Sequence, residues 1–347
     1  MLYTLIRPFL MAMDAEDAHG LTIKALKKGW IKGQMSEDDP ILRTRLGPLD
    51  LPNPIGLAAG FDKNAEVMDA MLGLGFGFVE AGTITPKAQA GNPRPRIFRL
   101  KEDKAVINRL GFNNGGLEIA ALRMAARAGN PGSVGANVGA NKDAEDRVAD
   151  YEAGIRRLAS LATYLTINIS SPNTPGLRAL QSRSALEDLL RRSIAARGEN
   201  TAPIFLKIAP DLTEEDRGDI ADVALNSGID GLIISNTTID RPGHLKSVNA
   251  KETGGLSGAP LMGPSTEVLA DIYKRTTGQL PIIGVGGVAS AADAYTKIRA
   301  GASAVQLYTA LIYQGPGLVQ KMKKDLASFL RRDGFSTVNE AVGADHL

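Results

Sequence analysis

The stretch TINISSPNTPGLR, residues 166–178, starts as a strand and finishes as a polar loop. Leu165, Ile167 and Ile169 alternate with polar residues, the period-two pattern of a pleated strand. Two serines, two asparagines and two prolines follow within ten residues. Polar side chains at the carboxyl end of a strand are where α/β enzymes keep their chemistry. The prolines stiffen the loop and hold its hydroxyls and amides in fixed positions, which a reacting site needs and a plain connection does not. The stretch therefore reads as the centre of a site, and the fold depends on how many strands accompany it.

Seven further apolar runs end in the same way. They are PIGLAAG from Pro54, GFVEAGTIT from Gly77, SVGANVG from Ser133, PIFLKIAP from Pro203, GLIISNT from Gly231, PIIGVGG from Pro281 and AVQLYT from Ala304. With YLTINIS from Tyr164 they make eight. Most are separated by helix-like stretches such as AEVMDAMLGLG, DRVADYEAGIRRLAS, SALEDLLRRSIAARG, EEDRGDIADVALNSG and AADAYTKIRAG. Eight strands alternating with helices predict an α/β protein, a (β/α)8 TIM barrel over residues 41–335. RTRLGPLDLPNP ahead of the first strand reads as a small hairpin with a Gly-Pro turn.

Two connections exceed what a barrel helix needs. Residues 86–132 insert RIFRLK, AVINRLGFNNGG and a helix; residues 238–265 insert a glycine-rich loop ending GGLSGAPLMGP. Both follow strands at their carboxyl ends, so both are expected to cover the barrel mouth. The tail, 336–347, is expected to be loose.

Residues 1–35 differ from the rest and read as two short amphipathic helices. MLYTLIRPFLMAM is apolar but interrupted by Arg7 and Pro8, too short to span a bilayer and without the small-residue cleavage site of a signal peptide. Asp14 is placed to cap a second helix, with Lys27 and Lys28 in its last turn and Gly29 closing it. One reading is a monotopic membrane foot with Leu2, Leu5, Ile6, Phe9, Leu10 and Met13 toward lipid. The other is a helix pair that only packs on the main domain.

With 347 residues, 44% hydrophobic and 22% charged, the chain can bury a full core. Its 40 basic and 38 acidic residues leave a formal net charge of +2, no basis for a nucleic-acid partner. It has no cysteine, hence no thiolate nucleophile and no cysteine-ligated iron–sulfur cluster. His19, His244 and His346 lie far apart without a metal-site spacing, so no metal is expected.

Nearly every strand end is polar: Asp62, Lys63 and Asn64; Thr83; Asn137; Asn168 and Ser171; Lys207; Asn236 and Thr237; Tyr308 and Thr309. Asparagines around one mouth offer donors and acceptors to a planar, amide-rich ligand, whereas a sugar or acid site would more often show paired carboxylates or arginine clamps. Some asparagines will simply cap helices. GVGGVAS from Gly284 and GASAVQLYTAL from Gly301 put glycines where backbone N–H groups can meet a phosphate, after the seventh and eighth strands. Gly284, Gly286 and Ala289 match G-x-G-x-x-A, but the acidic residue of a dinucleotide site is missing, which favours a mononucleotide. A flavin suits these parts: Lys207, inside an apolar strand, could stabilise the negative charge of a reduced ring. A lysine snorkelling to the rim is the plainer reading of Lys207.

These motifs, with FDKN, INRLGFNN, NISSPNTPGLR, FLKIAPD, SNTT, GGLSG, GVGG and YTALIY in order, make the chain closely similar to the quinone-dependent, class 2 dihydroorotate dehydrogenases over nearly its whole length. The resemblance implies oxidation of dihydroorotate to orotate in pyrimidine synthesis, with FMN taking the hydride and a membrane quinone reoxidising it. It implies that Ser171 is the catalytic base. Substrate would be held by Lys63, Asn108, Arg109, Leu110, Gly111, Phe112, Asn168, Asn173, Asn236 and Thr237. FMN would be held by Ala59, Gly60, Phe61, Asp62, Lys63, Thr83, Asn137, Asn168, Lys207, Ser235, Gly258, Gly287, Tyr308 and Thr309, with Arg99 and Tyr308 between flavin and quinone. Class 1 relatives use a cysteine base, which this chain lacks. The resemblance also favours the membrane foot, hence peripheral attachment to the cytoplasmic side of the cell membrane. Two other readings stand beside it: a flavin-free, phosphate-binding isomerase or lyase, and a non-catalytic binding protein on a decayed barrel.

Overall fold

The structure, a computed structural model, describes residues 2–31, 33 and 37–346. Two helices lead the chain, α1 (Leu2–Ala12) and α2 (Ala15–Lys27). Asp14 caps α2, its carboxylate accepting from the N–H groups of Glu16 and Asp17 at 2.9 and 3.1 Å. A hairpin of β1 (Thr44–Leu46) and β2 (Leu49–Leu51) follows, turned at Gly47 with φ 58°. Next come β3 (Ile55–Asp62), α3 (Met68–Leu72) and β4 (Phe78–Ile84). The first insertion supplies β5 (Ile97–Leu100), β6 (Ala105–Asn108) and α4 (Leu117–Ala126). The alternation resumes with β7 (Ser133–Val138), α5 (Arg147–Leu158), β8 (Tyr164–Asn168), α6 (Arg183–Arg197), β9 (Ile204–Ile208), α7 (Glu214–Ser227) and β10 (Gly231–Ile234). The second insertion carries β11 (Gly255–Gly258). The chain then runs through α8 (Met262–Arg275), β12 (Ile282–Val285), α9 (Ala291–Arg299), β13 (Ala304–Leu307), α10 (Thr309–Gln314) and α11 (Leu318–Arg332).

All eight expected strands enter one closed parallel barrel, in the order β3-β4-β7-β8-β9-β10-β12-β13 and back to β3. Its interior is filled by pairing aromatics with glycines. A Cβ at Gly56 would lie 2.3 Å from the Phe78 ring, one at Gly135 2.1 Å from Tyr164 and one at Gly231 2.6 Å from Phe205. The three rings meet edge to face, with centroids 6.2 and 5.6 Å apart. Leu46 and Leu51 of the hairpin join this cluster, so β1 and β2 plug the floor of the barrel. The chemistry is thereby confined to the opposite end.

The expectations for GLSG and for the tail change. GLSG, expected within a loop, is a strand: β11 pairs antiparallel with β6, which pairs with β5, so the two insertions build one three-stranded sheet over the mouth. Four residues rich in glycine have little strand preference of their own; the hydrogen bonds come from a partner more than 140 residues away. Residues 336–346, in the tail expected to be loose, pack on the barrel: Val338 and Ala341 are fully buried, and the Asn339 amide oxygen accepts from the Thr44 hydroxyl at 2.8 Å.

The leading helices dock on the mouth through specific pairs. Glu16 accepts from Arg96 at 2.6 and 2.9 Å, Lys27 meets Glu66 at 2.5 Å, and the Tyr3 hydroxyl donates to the Ile312 carbonyl at 2.6 Å. Leu5, Phe9 and Met13 are exposed, the first two by more than 70%. Leu10, expected to face lipid, instead lines the cavity beneath with Ile6. The Leu2 side chain and the segment boundary at residue 35 lie outside the described residues. Among the described residues no helix is long and apolar enough to cross a membrane.

Candidate active site

A cavity of about 1300 Å3 runs from the barrel mouth to the underside of α1 and α2. The loop after β8 lies at its centre. Ser171 is 6% exposed, and its Oγ accepts from the Asn173 N–H at 3.2 Å. Asn173 in turn donates to the Asn108 carbonyl at 3.1 Å, tying the loop to the first insertion. Asn168 donates to Thr83 Oγ1 at 2.9 Å and accepts from Ser170 Oγ at 2.9 Å. Asn236 donates to Ser170 Oγ at 3.0 Å, and the Thr237 N–H donates back to Asn236 Oδ1 at 2.8 Å. Arg178 stitches three strand ends together: it donates to the carbonyls of Ser170 and Thr237 and pairs with Asp211 at 2.7 Å. The amides of Asn168, Asn173 and Asn236 are thus held in fixed orientations before any ligand arrives.

Beside them, Lys207 is 5% exposed and lines the cavity without a hydrogen bond or ion pair among the described residues. Burial pushes its ammonium below the usual lysine range, while the buried Glu80 carboxylate acts in the opposite direction. Glu80 itself accepts from Asn137 at 2.7 Å, Tyr164 at 3.0 Å and Gln306 at 2.8 Å. An unpartnered buried cation at a cavity wall is a ready counter-charge for an electron-rich ligand.

Past β12 the chain turns through Gly286 and Gly287, with φ 105° and 78°. A Cβ at Gly287 would meet the Met262 backbone at 2.5 Å, so only glycine fits. The N–H groups of Gly287 and Val288 find no partner among the described residues, and both residues line the cavity. With Tyr308, Thr309, Ser235 and Gly258 on the same wall, they form a place for a phosphate.

Toward the helices, Lys63 lies 3.4 Å from His19 Nε2, and burial brings its ammonium down to about 8. His19, buried beside this cation, is pushed down to about 3 and is a neutral imidazole that accepts from Lys63. Its ring packs on Phe61 and Tyr308, with centroids at 5.3 and 6.4 Å. Arg99 lines the same end and donates to the carbonyls of Met11 and Met13, fixing the end of α1.

Of the expected site residues, Ala59, Gly60, Leu110, Gly111 and Phe112 also line this cavity, as do Asn108 and Asn173. Three do not. Asp62 accepts from the N–H groups of Glu66 and Val67 at 2.7 and 2.8 Å, a cap that shapes the turn after β3. Arg109 pairs with Glu252 at 2.7 Å and stacks over Phe98, joining the two insertions behind the wall. Asn137 sits one layer down, accepting from Thr83 and Asn168 and holding both.

A model of the dihydroorotate dehydrogenase family matches residues 41–330. This chain belongs to the dihydroorotate dehydrogenase family. It is 59% identical to the dihydroorotate dehydrogenase (quinone) of Parvibaculum lavamentivorans over 344 residues, covering 99% of both chains. Identity to the dihydroorotate dehydrogenase (quinone) of Rhodospirillum rubrum is 57%, over 99% of this chain and 95% of that one. The crystal structure of Eimeria tenella DHODH in complex with ferulenol superposes with a TM-score of 0.93 at 44% identity, covering 96% of each chain. In this dihydroorotate dehydrogenase, four residues that shape the cavity were missed by sequence reading: His19, Glu80, Arg178 and Gln306. Glu80 carried one signal, a carboxylate inside an otherwise apolar strand. Gln306 carried a similar signal, an amide inside AVQL, whereas His19 and Arg178 carried none.

Proposed function

We propose that this dihydroorotate dehydrogenase oxidises dihydroorotate to orotate with FMN as hydride acceptor and passes the electrons to a membrane quinone, in pyrimidine synthesis. One observation carries the reading: Ser171, the amides of Asn168, Asn173 and Asn236, and the unpartnered Lys207 open onto a single cavity that continues beneath α1 and α2. The residues suit FMN on three counts. The Gly287 and Val288 N–H groups would take the phosphate, Lys207 would face the electron-rich part of the ring system, and the cavity has room for cofactor and substrate together. Bound there, FMN supplies the hydride acceptor.

Lys63 and the asparagines hold the planar, amide-rich substrate and its carboxylate. Ser171, its own hydroxyl proton released to solvent, takes the proton α to the substrate carbonyl and returns to the neutral hydroxyl, and the Asn173 N–H steadies the anionic oxygen. Lys207 keeps a positive charge at the wall where negative charge develops. The quinone enters between α1 and α2, past His19, Arg99 and Tyr308, with the exposed Leu5 and Phe9 in the membrane surface. The enzyme is thereby held peripherally on the cytoplasmic side of the cell membrane.

The test is anaerobic flavin absorbance during addition of dihydroorotate and then a short-chain quinone. Bleaching followed by recovery is the expected result. A flavin that does not bleach removes the substrate assignment, and a colourless protein removes the flavin.

A further inference from the structure

Lys297 is fully buried on α9, with no ion pair among the described residues. Burial brings its ammonium down to about 7, and neither the substrate site nor the quinone end uses it. Its Nζ donates to Ser265 Oγ at 2.8 Å and to Thr266 Oγ1 at 3.0 Å, both near the start of α8. In its protonated form Lys297 can only donate, so both hydroxyls then accept from it and send their own protons onward. Thr266 donates to the Met262 carbonyl at 2.7 Å. Ser265 has two carbonyls in reach, Gly286 at 3.1 Å and Met262 at 3.2 Å; Met262 is already served by Thr266, which directs the Ser265 proton to Gly286. The Lys297 stem also packs against Gly284, where an added Cβ would meet it at 3.1 Å.

Gly286 precedes the two unpartnered N–H groups at the phosphate end. We infer that Lys297 is a positioning residue for that end: through Ser265 it holds the Gly286 carbonyl against α8, so that the N–H groups of Gly287 and Val288 stay free for an anion. The inference rests on the FMN reading and adds to it a residue that never touches the cofactor. A peptide turn held by a directed chain of hydrogen bonds is preorganised, and the anion then meets donors that need no reordering.

Riboflavin lacks the phosphate and otherwise matches FMN, so the pair isolates this end of the site. Lys297→Met keeps the length of the side chain and removes every donor. In the full-length protein stripped of flavin, the binding of FMN and of riboflavin is compared by quenching of flavin fluorescence. The variant is expected to lose its preference for FMN at least tenfold while binding riboflavin as the parent does. An unchanged preference overturns the inference. Equal loss of both flavins overturns it as well, because Lys297 would then only support packing. Ser265→Ala cuts the link to Gly286 with a smaller change in the core and is expected to move the preference in the same direction. If Lys297→Met does not fold, an unchanged preference in Ser265→Ala is decisive against. A parent protein that binds neither flavin refutes the FMN reading and this inference with it, an outcome distinct from all the others.

Discussion

At Ser171 the hydroxyl has no imidazole or carboxylate partner among the described residues; its recorded contact is the Asn173 N–H, which donates to it. A serine so placed is a weak base at neutral pH, and kcat is expected to climb as pH rises. Ser171→Ala is expected to retain FMN and to lose oxidation by about 100-fold or more, read as the rate of anaerobic flavin bleaching. Full activity in that variant would remove the base assignment. Lys63 imposes a second, opposite dependence. Its ammonium is depressed to about 8, so in the free enzyme it loses its proton as pH rises through that value. The kcat/KM for dihydroorotate is therefore expected to bend downward above pH 8, and Lys63→Met to raise KM and abolish that limb. A limb that survives the substitution belongs to another group.

At the scale of the element, α2 is held to the barrel by charged contacts, Glu16 with Arg96 and Lys27 with Glu66, and by an aromatic one, His19 with Phe61 and Tyr308. Docking keeps His19 neutral, with its affinity for a proton lowered from 6.5 to about 3. The undocked helix binds a proton below 6.5 and the docked helix does not, so docking is at full strength above pH 6.5 and weakens as pH falls. Each unit below 6.5 costs about 1.4 kcal/mol until the docked value is reached. Hydrogen exchange in residues 15–27 is expected to accelerate on acidification from pH 7 to 5, and His19→Gln to flatten that response. Exchange that is indifferent to pH in the parent protein would show that His19 does not couple the helix to the barrel.

For the whole molecule, the last residues matter because they close the barrel on its first hairpin. Val338 and Ala341 are buried, Asn339 accepts from Thr44, and Asp345 pairs with Arg299 at 2.6 Å. Truncation after Phe335 is expected to cost on the order of 2–4 kcal/mol from lost apolar burial and to lower the melting temperature by roughly 5 °C. The flavin-bleaching rate of the surviving folded protein should be unchanged, since the tail lies away from the cavity wall. An unaltered melting temperature would mean that these contacts add nothing to the native state.

The barrel follows from local pattern alone. Apolar runs of strand length ending in polar residues, spaced by helical periods, leave few other ways to bury a parallel sheet, and all eight found their places. The same pattern also determined which side chains crowd the mouth, because strand ends project there wherever the strands lie. Tertiary structure alone decided what depends on partners distant in the chain. GLSG became a strand only because β6 offered its edge, and Arg109 left the wall for Glu252 and Phe98. Asp62 turned to its own backbone, Leu10 lined the cavity, and His19 became a buried acceptor beside Lys63, 44 residues on. Local pattern records which face of an element is apolar; it does not record which other element will meet that face, and that meeting sets the charge, orientation and reach of every group in the cavity.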